Sequence, residues 1–305
     1  MEGGDSLGEK ILITEVAPRD GLQILPRFVP TEVKTALIAS LAEAGCEEIE
    51  AASFVSKKWV PQFSDAGEIC RHFAGLYPNT IFTFLVPNLK GAQLAIDAGA
   101  RQIFVTTSAS VKHCRDNLNQ SIDEVLEGAE RIAELCNKHG VVYTASIAAA
   151  FGYSSDRDGV PEERVLSMIS RFEKAGFGSV TLCDTAGEAN PEKTFELCSS
   201  AIKCSGIPIG VHFHQNGGIE FANALAALKA GIRIFESAAG GLGGCPYVKK
   251  AKGNIATEKL VEMFRAMGYE IGIDPVLISE CAEKAKKIRD EYGVPCELSD
   301  QTHSN

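Results

Sequence analysis

The sequence predicts an α/β fold, a (β/α)8 TIM barrel with additional C-terminal helices. Three observations predict it. Eight short runs rich in β-branched and aromatic residues recur along the chain, helical stretches lie between them, and no GxGxxG follows the first run. Strands read as near-continuous apolar runs suit a parallel sheet covered on both sides, and strand–helix alternation without a dinucleotide fingerprint favours a barrel over a doubly wound sheet.

In chain order the expected strands are ILITEVA at 11–17, EEIEAASF at 47–54, TIFTFLV at 80–86, RQIFVTTS at 101–108, VVYTASIAA at 141–149, SVTLCDT at 179–185, PIGVHFH at 208–214 and IRIFESAA at 232–239. Amphipathic stretches at 31–45, 121–140, 161–176 and 191–203 are expected helices. Gly45, Gly99, Gly140, Gly176, Gly231 and Gly268 fall where left-handed helix ends are expected, and Pro161 and Pro191 where a first helical turn tolerates proline. The segment 274–293 adds one or two further helices. No linker divides the 305 residues, so the reading is one catalytic domain: a barrel over 11–270 with a glycine-rich lid loop at 240–254, then a helical extension and tail over 271–305.

Composition narrows the function. A hydrophobic fraction of 45% is enough for a sizeable core, and a net charge of −10 with no basic tract argues against nucleic acid or an anionic membrane as partner. No apolar run approaches the roughly 20 residues of a membrane helix. The N-terminal MEGGDSLGEK is neither a signal nor a transit peptide, so a cytoplasmic protein is expected. The ten cysteines are scattered without a CxxC, and most are expected to be small buried hydrophobes.

In a barrel of this kind, chemistry sits at the C-terminal ends of the strands. Arg19 and Asp20 follow the first run, Glu50 lies late in the second, Ser108 ends the fourth, Asp184 ends the sixth, and His212 and His214 end the seventh. Residues two apart on a strand share a face, so the two imidazoles converge at the barrel mouth. With Asp20 beside them they form a His–His–Asp set, which suits Mg²⁺ or Mn²⁺ more than a thiolate-seeking zinc site. Asn254 is available as a fourth ligand. Cys245, among five glycines in AAGGLGGCPYVKKAKGN, is placed to bring a thiol over the site as a proton donor or acceptor.

Taken together, EVAPRDGLQ (15–23), ASFVSKKWVPQ (52–62), VPNLKG (86–91), DTAG (184–187), HFH (212–214) and GLGGCPY with KGNIATE (241–258) closely resemble the hydroxymethylglutaryl-CoA lyase family over residues 11–272. The related isopropylmalate and homocitrate synthases typically carry RDGEQ where this chain has Arg19 to Gln23, and lack the GGCP lid. The resemblance implies metal-dependent cleavage of 3-hydroxy-3-methylglutaryl-CoA to acetyl-CoA and acetoacetate, with no organic cofactor beyond the CoA of the substrate, and a homodimer. Carried over, Asp20, His212, His214 and Asn254 match metal ligands. Arg19 matches the enolate-stabilising residue, Cys245 the lid thiol, and Glu50 and Asp184 acidic site residues, with His212 or Asp184 as base. Arg19, Gln23 and Ser108 are assigned to substrate binding. The chain departs from the family after the histidines, where Gln215-Asn216-Gly217-Gly218 replaces the usual Asp-Thr-Tyr-Gly, and after RDGLQ and the fifth strand. The alternatives are the same chemistry on another 3-hydroxyacyl-CoA such as citramalyl-CoA, an acyl-CoA/2-keto-acid condensing synthase, and a binding barrel without turnover.

Overall fold

A computed structural model of the chain describes residues 8–157, 159–243 and 253–293. Eight parallel strands close in sequence order, with β1 hydrogen-bonded to both β2 and β8. They are β1 Leu12–Glu15, β2 Glu48–Ser53, β3 Ile81–Leu85, β4 Gln102–Ser108, β5 Val142–Ala148, β6 Val180–Asp184, β7 Ile209–Phe213 and β8 Ile234–Ser237. Each lies inside its expected run. The helices are α1 Thr31–Glu43, α2 Ala66–Phe73, α3 Leu89–Asp97, α4 Ile122–His139, α5 Glu162–Lys174, α6 Pro191–Cys204, α7 Ile219–Ala230, α8 Thr257–Ala266 and α9 Pro275–Tyr292. All six expected terminal glycines have positive φ. At Gly45 the tight turn is also a close approach, because a Cβ would come 2.5 Å from the Gly272 carbonyl oxygen.

Three features differ from the sequence reading. Pro161 is the extended residue before α5 rather than its first turn (φ −65°, ψ 139°), whereas Pro191 does open α6. Of the helices outside the expected stretches, α2 has no counterpart in the sequence reading, while α3, α7 and α8 are marked only by their terminal Gly99, Gly231 and Gly268; α7, IEFANALAALKA, is apolar on most of its circumference and so carries no clear stripe. The strands also alternate more than they read. Ile13, Ile49, Phe84, Val105, Val180 and Phe235 are buried beneath the helices. Thr14, Glu48, Glu50, Thr83, Thr181 and Glu236 instead line a small, partly open cavity to which every strand but β7 contributes. The interior of this barrel sets hydroxyl and carboxylate groups beside Leu12, Phe104 and Ile234, where branched aliphatic layers are usual. Cys46, Cys70, Cys114, Cys136, Cys198 and Cys281 are buried, as small core residues are expected to be. Among the described residues no helix is long and apolar enough to cross a membrane.

Outside the barrel, Lys34 of α1 is 1% exposed and sits between both carboxylate oxygens of Asp65, at 3.0 Å each, with the Gln62 carbonyl as a further acceptor. The Phe28 ring lies 4.2 Å from its ammonium. Removing one member of a buried pair leaves an uncompensated charge. Lys34→Met is expected to lower unfolding free energy by about 3–5 kcal/mol, read from urea midpoints.

His113, after β4, is buried with its Nδ1 unpartnered and its ring edge-on to Tyr153 at 5.5 Å. Burial pushes its pKa down to about 4, against about 6.5 for an unfolded chain. Between those values the unfolded chain binds the extra proton. The stability contribution is therefore complete above about pH 6.5 and is lost as pH falls toward 4. The thermal midpoint is expected to drop between pH 7 and 5, with a shallower drop in His113→Phe.

Candidate metal and active site

The β1 strand ends in a single wide turn, Ala17–Gly21, in which the N–H groups of Arg19, Asp20 and Gly21 all donate to the Val16 carbonyl at 2.8–3.2 Å. Glu15 anchors this turn, accepting from the Ala17 N–H at 2.8 Å, the Ala239 N–H at 2.9 Å and the Thr257 hydroxyl at 2.7 Å. It thereby ties the loop after β1 to the loop after β8. Arg19 and Asp20 are both buried. Arg19 Nε donates to Glu50 Oε2 at 2.6 Å, Nη1 donates to Asp20 Oδ1 at 2.7 Å, and Nη2 also pairs with Glu50. The Phe104 ring lies 5.2 Å from the guanidinium carbon.

These contacts set the charges. Burial works against the Arg19 cation, but Glu50 and Asp20 outweigh it and raise its pKa. Burial would raise Asp20, yet Arg19, then His212 and His214, pull it below the usual carboxylate range. Glu50 moves to about 8: burial drives it up, Arg19 opposes, and Glu236 and Asp20 add repulsion.

His212 and His214 leave β7 on the same face, with ring centroids 4.9 Å apart. His212 is register partner to Glu236 of β8, and its Nδ1 lies 2.9 Å from Glu236 Oε2. His214 Nδ1 lies 2.9 Å from the Asp184 backbone carbonyl. Both contacts are satisfied by an Nδ1–H donor, so in each neutral ring Nε2 keeps its lone pair. Burial, with His212 adding repulsion, holds His214 near pKa 4 and hence neutral. Burial lowers His212 too, but the hydrogen bond and charge of Glu236 reverse the sign and raise it. One candidate ligand atom each from Asp20, His212 and His214 lies within 4.8 Å of the others.

Asn254 reaches the same place from the other side. Residues 253–255 run antiparallel to the end of β7: Gln215 N–H donates to the Gly253 carbonyl at 2.8 Å and Ile255 N–H to the Phe213 carbonyl at 3.0 Å. Gln215 Nε2 adds a bond to the Asn254 carbonyl at 3.0 Å. The Asn254 Nδ2 donates to Asp20 Oδ2 at 2.8 Å and to the Leu242 carbonyl at 3.1 Å. Its Oδ1 is buried with no partner. A buried amide oxygen without a donor, beside an ionised carboxylate and two bare imidazole nitrogens, fits a hard divalent cation.

The remaining expected residues fall as follows. Asp184 is 1% exposed; its Oδ1 accepts from the N–H groups of Glu188 and Ala189 at 2.8 and 3.1 Å, and burial lifts its pKa to about 6. Ser108 is fully buried, its hydroxyl donating to the Ala148 carbonyl at 3.3 Å and accepting from the Ser110 N–H at 3.1 Å, so it shapes the backbone after β4. Gln23 is half-buried one helical turn beyond Arg19. Cys245 lies outside the described residues. Two residues were missed in the sequence. Glu236, a charge within the eighth strand run, was the available signal for a buried partner to His212. Gln215 carried none, because its role depends on where residues 253–254 return.

The sequence model of the HMGL-like family matches residues 10–285. The chain is 37% identical over 282 residues to a cytoplasmic 3-hydroxy-3-methylglutaryl-CoA lyase of Rattus norvegicus, covering 91% of this chain and 80% of that one. It is 33% identical over 288 residues to a hydroxymethylglutaryl-CoA lyase of Bacillus subtilis, covering 94% and 95%. Among solved structures it resembles an HMG-CoA lyase from Acinetobacter baumannii in complex with coenzyme A and 3-methylmalate, with a TM-score of 0.86, 34% identity, and coverage of 100% of this chain and 98% of that one.

Gly243 tests the ligand cluster. Its φ is +129°, and a Cβ there would lie 2.4 Å from Asn254 Nδ2 and 3.4 Å from Asp20 Oδ2. Gly243→Ala is expected to displace Asn254 and weaken Mn²⁺ binding about 10–100-fold, as loss of a ligand's support does; titration calorimetry reads it.

Proposed function

The chain belongs to the HMGL-like family, and from that premise we propose that it is a divalent-metal-dependent carbon–carbon lyase cleaving 3-hydroxy-3-methylglutaryl-CoA to acetyl-CoA and acetoacetate. The observation that carries this reading is the convergence of Asp20, His212 and His214 beside the orphaned Asn254 oxygen and the Arg19 cation. Asp20, His212, His214 and Asn254 would hold the metal, Mg²⁺ or Mn²⁺. When bound, such a cation makes a coordinated tertiary hydroxyl more acidic.

The chain's own groups supply the rest. The C3 hydroxyl gives its proton to a base. His212 has Nδ1 engaged by Glu236 and Nε2 assigned to the metal, whereas Asp184 carries its backbone bonds on Oδ1 only, so Asp184 is the base in this reading. As the C3 oxygen becomes a ketone, the C2–C3 bond breaks and its electron pair moves onto the thioester as an enolate. Arg19, held rigidly by Glu50 and Asp20, faces that oxyanion with a cation that needs no reorganisation. The C2 carbon then takes a proton from the Cys245 thiol, giving acetyl-CoA. Residues that bind CoA, a homodimeric assembly and a cytoplasmic location belong to the same reading. The Acinetobacter baumannii relative with coenzyme A bound supports a CoA thioester as the substrate class.

A second reading keeps the chemistry and changes the acyl group, to that of citramalyl-CoA or of a longer 3-hydroxyacyl-CoA. Gly217 and Gly218 stand beside the mouth at φ +67° and +100°, and a Cβ at either would meet nothing within 4 Å. This exposed turn presents no side chain where the family usually has a tyrosine, and that departure motivates a different 3-hydroxyacyl group.

Acetoacetate is expected when the protein, Mg²⁺ or Mn²⁺ and 3-hydroxy-3-methylglutaryl-CoA are mixed, and none after chelation. Arg19→Met is expected to cut kcat by about 10²–10³-fold, the usual cost of one oxyanion contact. A panel including citramalyl-CoA separates the two readings by kcat/KM, with tenfold preference as the criterion, about 1.4 kcal/mol.

A further inference from the structure

Along the barrel axis, on the N-terminal side of the ligand cluster, lies a cavity of about 30 Å³ that is partly open, with Glu48, Thr144, Ser179 and Ile234 half-buried around it. Its wall includes Thr83 of β3, Glu50 and Glu48 of β2, Ser146 of β5, Thr181 of β6 and Glu236 of β8. Thr83 is 2% exposed, and its hydroxyl is buried without a hydrogen-bond partner. An unpaired buried hydroxyl is costly, and a polar cavity of this size has room for a water molecule with several partners. Glu236, on the same wall, uses Oε2 to hold His212 Nδ1 at 2.9 Å, while His212 is paired with it across the β7–β8 ladder.

We propose that this chamber is a built water site, and that the chain from its water through Glu236 to His212 positions the imidazole for the metal. The inference rests on the metal reading given above. Glu236 is a positioning residue: it touches neither substrate nor reacting atoms. Its carboxylate selects the tautomer that leaves His212 Nε2 bare, and its charge raises the basicity of that nitrogen. The water supplies the Thr83 hydroxyl with its missing partner and gives the carboxylate a hydrogen-bond donor on the side away from the histidine. This restrains Glu236 without placing an apolar group against a charge. A barrel filled by aliphatic side chains could not do this.

Two variants test the proposal, read by the Mn²⁺ dissociation constant of the metal-free protein from electron paramagnetic resonance, and by thermal midpoint. Glu236→Gln keeps the shape and an acceptor for His212 but removes the charge; it is expected to weaken Mn²⁺ about 10–100-fold, with near-ultraviolet circular dichroism unchanged. Thr83→Val removes only the hydroxyl. With water in the chamber it is expected to lower the thermal midpoint and weaken Mn²⁺ several-fold. An unchanged or raised midpoint with unchanged Mn²⁺ affinity would mean a dry chamber and overturn the water site. Unaltered Mn²⁺ affinity in Glu236→Gln overturns the positioning role. Failure of the unaltered protein to bind Mn²⁺ at all overturns the metal reading itself, a distinct result.

Discussion

One buried guanidinium organises the mouth of this barrel. Arg19 is in contact with two carboxylates, Glu50 and Asp20, and all three groups are withdrawn from water. Neither acid could sit there ionised alone, because burial penalises an unpaired charge by several kcal/mol. Because Arg19 occupies Asp20 Oδ1, the other oxygen faces Asn254, and the carboxylate stays ionised and oriented toward the histidines. Because Glu50 grips the same guanidinium along a second edge, Arg19 has little rotational freedom left. A cation fixed in this way is what a developing oxyanion requires.

The ligands themselves come from opposite directions. Asp20 rides on the turn after β1, the two histidines on the end of β7, and Asn254 on the segment after β8 that makes one antiparallel bridge with His214. Glu15 joins the first and last of these by accepting from both loops and from Thr257. Its position behind the site explains how side chains more than two hundred residues apart in sequence stay within hydrogen-bond range. Each histidine is turned by a different acceptor, a side-chain carboxylate for His212 and a backbone carbonyl for His214. Although neighbours, the two rings accordingly differ in basicity: His214 is driven well down, while Glu236 reverses that push for His212.

The polar interior belongs to the same design. A parallel barrel normally closes over packed aliphatic layers. Here Glu48, Glu50, Thr83, Thr181 and Glu236 face inward, while the apolar positions between them, such as Ile49 and Phe235, pack outward under the helices. The apolar core is thus the annulus between strands and helices, and the axis is left to support the site above it.

The sequence alone determined the eight runs and their order, the left-handed glycine ends, and the placement of Arg19, Asp20, Asp184, His212 and His214 at strand ends, with Glu50 within β2 and Asn254 in the loop after β8. All of these are local signals: period, turn chemistry, and the position of a polar residue within an apolar run. It could not show that Ser108 is engaged by the Ala148 carbonyl of β5 and the Ser110 N–H, that Gln215 secures Asn254, or that Glu236 stands behind His212. Nor could it separate inner from outer strand faces. Those facts arise only when neighbouring strands pair, β4 with β5 for Ser108 and β7 with β8 and the 253–255 segment for His212 and Asn254, because a hydrogen bond between residues distant in the chain depends on register, which leaves no local pattern to read.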